Sequence, residues 1–235
     1  MAADVSGILE DVVIAPDLLS LSGRYNIRPS EPALLIRANG SARQAGYAHW
    51  GFRPPWMTDA YMREAKRGPF INARSETLFE ARAFSDAGRQ ERCLILADGF
   101  YEPKGEKGTK REQHYFDAGG LVAFAGIETA FPEPTPDHRT ANFAILTCMP
   151  NAQVEPVHGR MPVILPQASW ADWLSPNTSA DALNAMMQPW SGAPLDTWQV
   201  STLINQRDAE GPGCIAPYKP PPAAEAPASA QGSLF

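Results

Sequence analysis

At 235 residues the chain is long enough for one ordinary domain whose core needs no disulfide staples. Its 23 prolines argue against a helical bundle, and a formal net charge of −6 does not advertise nucleic-acid binding. The distribution of charge is less discouraging: residues 1–112 hold 16 Lys and Arg against 15 Asp and Glu, and residues 113–235 hold 4 against 11, which leaves room for a local basic groove.

In chain order, Val5, Ile8, Leu9, Val12 and Val13 make a short helix-like pattern over 4–14, ended near Pro16. Pro32 to Ile36 and Tyr47 to Phe52 read as strands. A polar stretch over 56–67 precedes an extended segment at Phe70 to Arg74, and Ser75 can start a helix across 75–83. The apolar run Cys93 to Ala97 meets Asp98-Gly99, a turn signal. After the charged turn Lys104 to Arg111, His114 to Phe116 and Leu121 to Ile127 flank Asp117-Ala118-Gly119-Gly120, which predicts a hairpin. Asn142 to Thr147 and Met161 to Leu165 are further strands, Trp170 to Leu174 and Ala180 to Met187 read as helices, and Trp198 to Ser201 is a last strand. From Lys219 the chain turns to Pro and Ala with no large apolar residue before Leu234, the composition of a flexible linker. The domain is therefore expected over 1–218, the linker over 219–230 and a terminal motif over 231–235.

Cys93, Cys148 and Cys214 are an odd, dispersed set without CxxC spacing, which favours reduced thiols in a cytoplasm. No secretory signal opens the chain and no run reaches the length of a membrane span. The four histidines lack metal-ligand spacing, so no metal and no cofactor is expected.

Several polar residues form a kit for acid–base work on a phosphate-bearing substrate. Glu102 follows a strand and turn, and His158 lies between a loop and a proline-broken strand. Asn72 and Arg74 alternate on an extended segment and so share a face. Each of these residues taken alone reads more readily as a solvated or hydrogen-bonded surface group. Trp50 and Trp56 bracket Arg53 in a proline-stiffened loop; they suit stacking on splayed bases, and equally a packed core and its lid.

Five runs together make a recognisable set: Arg24–Pro29 (RYNIRP), Trp50–Trp56 (WGFRPPW), Asn72–Thr77 (NARSET), Arg92–Glu102 (RCLILADGFYE) and His158–Leu165 (HGRMPVIL). In this order the chain resembles the SRAP family, the SOS response-associated peptidase-like proteins that process abasic sites in DNA. The resemblance covers about residues 24 to 218. It implies an α+β fold with a mostly antiparallel, barrel-like β core flanked by short helices. It also implies binding of single-stranded DNA at abasic sites, where an N-terminal cysteine condenses with the sugar aldehyde into a crosslink. Glu102 and His158 then carry the proton transfers as catalytic residues, and Asn72 and Arg74 hold the lesion and its flanking phosphates; Arg53, Trp56 and Arg160 are further candidate DNA contacts. Lyase and peptidase chemistry both belong to the family's repertoire.

Two positions depart from the pattern. Ala2 stands at the position of the family nucleophile and supplies only an α-amine, and Pro103 replaces the tryptophan after the GFYE run. An upstream start, a variant without the thiol and a degenerate remnant all account for Ala2. The tail Gln231-Gly232-Ser233-Leu234-Phe235 resembles the bacterial sliding-clamp binding pentapeptide, with Gln231, Leu234 and Phe235 as its contact residues. Two rival readings remain: a Cys/His peptidase built on Cys148 and His158, and a catalytically silent module that docks on DNA and a clamp.

Overall fold

The structure, a computed structural model, describes residues 12–13, 23–40, 42–106, 108–132 and 141–220. Its ten strands are β1 (Val12–Val13), β2 (Pro32–Asn39), β3 (Ala42–Trp50), β4 (Asn72–Arg74), β5 (Arg92–Lys104), β6 (Glu112–Ala130), β7 (Ala141–Cys148), β8 (Met161–Pro162), β9 (Ile164–Leu165) and β10 (Asp196–Val200). Four short helices accompany them: α1 (Asp59–Glu64), α2 (Ser85–Gln90), α3 (Trp170–Leu174) and α4 (Ala180–Met186). The hydrogen-bonded path runs β3–β2–β5–β6–β7, and His49 and Trp50 of β3 pair back onto Asn142 and Phe143 of β7. That last pairing is parallel; the other four links are antiparallel, and together they close a barrel. The fold is α+β with a mostly antiparallel core, as the resemblance implies.

β7 is buried along almost its whole length, which is why its sequence is a near-continuous apolar run. It carries β4 and β8 in addition to its barrel neighbours. The core is filled by Leu35, Ile36, Phe52, Phe116, Phe143 and Trp173, all fully buried.

Several elements differ from their sequence signals. Asp98-Gly99 does not end a strand, and residues 117–120 do not reverse the chain into a hairpin. β5 and β6 instead run on as partners through the break: Ala97 pairs with Val122, and Gly99 pairs with Asp117. The β6 residues between those pairs bulge out opposite Asp98. Local turn chemistry is satisfied inside the bulge, where the Asp117 carboxylate accepts from the Gly119 N–H at 2.8 Å and Gly119 takes φ +71°. Gly99 is required on the other strand, because a Cβ there would lie 2.3 Å from the Phe116 carbonyl oxygen.

The helix expected over 75–83 is reduced to a 3-10 turn, Ser75–Thr77, followed by α2. Val12 and Val13, the only described residues of the expected helix at 4–14, pair in parallel with Arg43 and Gln44. The strand expected from Met161 to Leu165 changes partner midway. Pro162 has no N–H to donate, and Val163 bonds β7 through its own N–H (2.9 Å to Leu146 O) and β6 through its carbonyl (2.8 Å from Ala125 N).

Arg92 ties the helices to the barrel. Its buried guanidinium donates to the carbonyls of Trp173 (2.7 Å) and Ser175 (2.6 Å) at the end of α3, and of Gly88 (2.9 Å) and Arg89 (2.5 Å) in α2. Replacing it strands four carbonyls. Arg92→Met is expected to cost about 3 kcal/mol of stability, read as a lowered urea midpoint, and Arg92→Lys is expected to recover little because one ammonium cannot fork to both helices.

Candidate functional site

The site begins with a loop. Residues 24–29 run across the barrel and are held by the segment that follows β10. The buried Asn26 amide donates to Ile204 O (3.0 Å) and Ala209 O (3.1 Å), and the Arg28 guanidinium donates to Gln206 O (2.7 Å). Arg24 sits between the carboxylates of Glu31 (2.7 Å) and Glu210 (2.6 Å). The Tyr101 hydroxyl donates to Tyr25 O at 2.7 Å. Beneath this loop lies a cavity of about 720 Å³. Barrel side chains such as Ile95, Phe124 and Phe143 form its apolar floor, and Asn72, Tyr101, Glu102 and Thr147 place polar groups on its walls.

Glu102 lies near the end of β5, opposite His114 on β6. Burial pushes its carboxyl up to about 8, against the opposing pull of the Arg111 guanidinium. One of its oxygens is 3.2 Å from Nδ1 of His158. His158 is delivered by a turn that Asn151 organises: the Asn151 side chain accepts from the N–H groups of Gln153 (3.2 Å) and Val154 (3.1 Å), and His158 N–H donates to Val154 O at 2.9 Å. Nδ1 also lies 3.0 Å from Arg160 O, so a proton on Nδ1 has both that carbonyl and the Glu102 carboxylate within reach, and a bare Nδ1 can instead accept from the neutral carboxyl. Near neutrality the carboxyl is close enough to its midpoint to give and to take a proton, which is what an acid–base group requires.

β4 brings Asn72 and Arg74 to one exposed face, with Ala73 buried between them and pairing with Leu146 of β7. Asn72 lines the cavity. Arg160 lies beside it but is engaged: its guanidinium forks onto both oxygens of Glu76 (2.5 and 2.8 Å) and donates to Thr147 O (2.5 Å). Two other expected DNA contacts lie elsewhere. Arg53 is buried, donates to Met57 O at 3.1 Å and pairs with Asp59 at 2.7 Å, closing its own loop. Trp56 lines a separate cavity of about 300 Å³, with the Arg82 guanidinium 5.3 Å from its ring centroid and Tyr61 edge-on at 5.2 Å. Ala2, Gln231, Leu234 and Phe235 lie outside the described residues.

Sequence reasoning missed Glu76 and Thr147. Glu76 carried a signal, because it lies two residues beyond Arg74 within the same run. Cys148 does not suit a thiolate nucleophile: it is 2% exposed and burial pushes its thiol up to about 11. Among the described residues no cluster of His, Cys, Asp or Glu is placed to hold a metal, and no helix is long and apolar enough to cross a membrane.

The raised Glu102 carboxyl has a consequence for stability. The folded chain keeps its proton from about 4.5 to about 8, where the unfolded chain has lost it. Stability therefore falls as pH rises through that window, by up to about 1.4 kcal/mol per pH unit. Glu102→Gln carries no such cost. Its melting temperature is expected to match the wild type at pH 4.5 and to exceed it by several degrees at pH 8.5, and equal melting at both values would remove the buried carboxyl from this account.

Comparison with known proteins places the chain in a group. The chain is 37% identical over 196 residues to the abasic site processing protein YoqW of Bacillus subtilis, covering 81% of this chain and 84% of that protein. It is 28% identical over 236 residues to the abasic site processing protein HMCES of Rattus norvegicus, covering 82% of this chain and 64% of that protein. A crystal structure of a protein from Bacteroides thetaiotaomicron shares the fold with a TM-score of 0.77 at 18% identity, over 93% of this chain and 97% of that one. The family model described as SOS response associated peptidase (SRAP) matches residues 8–207, and the chain belongs to that family.

Proposed function

We propose that this protein recognises abasic sites in single-stranded DNA and acts on the ring-opened sugar aldehyde, with Glu102 and His158 moving the protons. The observation that carries the reading is the half-buried Glu102 carboxyl 3.2 Å from His158 Nδ1, on the wall of a cavity that Asn72 also lines. The named activity of relatives such as YoqW and HMCES supports the choice of lesion.

Condensation of an amine with an aldehyde needs both proton directions. The nitrogen attacks the carbonyl carbon, the carbonyl oxygen takes a proton, and the nitrogen gives one up. The carbinolamine then loses its oxygen as water after a second protonation, leaving the imine. A carboxyl titrating near 8 can donate at the dehydration step and recover the proton afterwards. Asn72 holds the sugar, and Arg74 binds a flanking phosphate. In the family's crosslink a thiol closes the imine into a ring. Where Ala2 supplies the terminal α-amine, that amine alone condenses, and the adduct is an imine that borohydride traps.

The domain spans 1–218 and works in the cytoplasm. Residues 219–230 are a tether, and Gln231, Leu234 and Phe235 dock on the bacterial sliding clamp. Leu234 and Phe235 fill an apolar pocket on the clamp, and the tether raises the local concentration of the domain at the replication fork.

Three measurements check this. With an abasic single-stranded oligonucleotide and borohydride, the wild type is expected to give a trapped adduct, and Glu102→Gln or His158→Asn to slow its formation about 100-fold with little change in affinity. Unchanged rates in both variants would sink the proton-transfer roles, and binding without any adduct would favour the silent module. Single strands are expected to bind more tightly than duplex, more weakly as salt rises, and about equally weakened for all sequences by Arg74→Ala. A peptide covering residues 222–235 is expected to bind the clamp with micromolar affinity, and the same peptide with Leu234→Ala and Phe235→Ala to lose it.

A further inference from the structure

The turn that presents His158 is held from outside the cavity. The His158 ring nitrogen that faces Glu102 also lies 3.0 Å from Arg160 O and 3.3 Å from Arg160 N. The position of the ring is therefore tied to the backbone of Arg160. That backbone is in turn tied down by the Arg160 side chain, whose two Nη groups reach Glu76 and the Thr147 carbonyl. Glu76 comes from the 3-10 turn after β4, and Thr147 from β7. Three separate elements thus meet at one guanidinium.

We propose that Glu76 is a positioning residue, which acts through Arg160 to hold the 158–160 turn so that the His158 ring faces Glu102. An isolated surface ion pair would be too weak for this, because solvent competes for both partners. This pair is a two-pronged fork with the same guanidinium bonded to a main-chain carbonyl, an arrangement that fixes angle as well as distance. The pairing of Met161 with Cys148 anchors the far side of the turn. Removing the Glu76 charge frees the guanidinium to leave Thr147, and the ring loses its reference. The Arg160 Nε–H, buried and without a hydrogen-bond partner among the described residues, adds no competing hold. A different role is conceivable for the same contact: Glu76 as a mere stand-in for a DNA phosphate on Arg160. The two make opposite predictions.

The inference rests on the proton-transfer reading of Glu102 and His158, but its first test needs no DNA. In full-length protein with ¹⁵N-labelled histidine, the His158 ring signals of the wild type are expected to inflect near pH 8 as Glu102 loses its proton, and Glu102→Gln identifies that inflection by abolishing it. In Glu76→Gln the inflection is expected to shrink by about half or more, and Arg160→Lys, which keeps the charge but not the fork, is expected to behave alike. A full-sized inflection in both variants overturns the proposal. Because Glu76 is an exposed residue and glutamine matches its shape, the variant is expected to melt as the wild type does; Arg160→Lys carries the test if it does not. In the second arm Glu76→Gln is expected to slow trapping on saturating abasic oligonucleotide about tenfold while leaving affinity within about twofold. Several-fold tighter DNA binding with an intact inflection would assign Glu76 to phosphate mimicry instead. A lost inflection in Glu76→Gln together with no adduct from the wild type would fault the catalytic reading and leave the positioning role standing.

Discussion

The ladder between β5 and β6 is the constraint from which the rest of the molecule takes its geometry. It runs from Arg92 paired with Ile127 to Lys104 paired with Glu112, and it survives the excursion of β6 opposite Asp98. At one end Arg92 gathers the ends of α2 and α3. At the other, Glu102 stands opposite His114 and faces the turn that carries His158. Side chains alternate along a strand, so a slip of one residue would turn Glu102 away from His158 and put Tyr101 or Pro103 in its place. The bulge therefore matters to chemistry as well as to shape. It lets the apolar half of the ladder close the barrel while the polar half keeps its own register.

Two carboxylates flank the 158–160 turn, and their surroundings push them in opposite directions. Glu102 is held up because burial disfavours its charge, and no full ion pair offsets that cost. Glu76 is held down because the Arg160 guanidinium bonds both of its oxygens in the open. One group is therefore poised to exchange a proton near neutrality, and the other is a fixed charge. On the proposed function, these separated titrations divide labour between a reacting acid and a structural one. The short chain path from His158 to Arg160 couples them.

How far the sequence could be read depended on where each signal was settled. The strand at Pro32 and the helix at Trp170–Leu174 were legible because burial imposes a period on the residues themselves, and the strand at Asn142 because burial on both faces makes it a near-continuous apolar run. Asp117-Ala118-Gly119-Gly120 was misleading for a definite reason: a hairpin turn and a bulge ask for the same residues, and only the pairing partner on each side distinguishes them. The same limit applies to cations. Arg53, Arg74 and Arg160 look alike in the sequence. In the fold the first is spent on its own loop, the second is exposed, and the third is clamped between Glu76 and Thr147. Glu102 was found through the run that contains it. The cause of its raised carboxyl, burial, is a tertiary property that no spacing records.

That loop also shows why a sequence motif need not be a chemical one. Asn26 spends both amide hydrogens on the carbonyls of Ile204 and Ala209, and Arg24 spends its guanidinium on Glu31 and Glu210. Their effect is to lay the early loop and the late segment 204–210 against each other over the cavity, so that residues far apart in the chain make one wall. Glu102 lines the same cavity, and burial is what raises its carboxyl. On the proposed function, the acid–base pair thus works in a cavity one of whose walls is held by hydrogen bonds outside the pair.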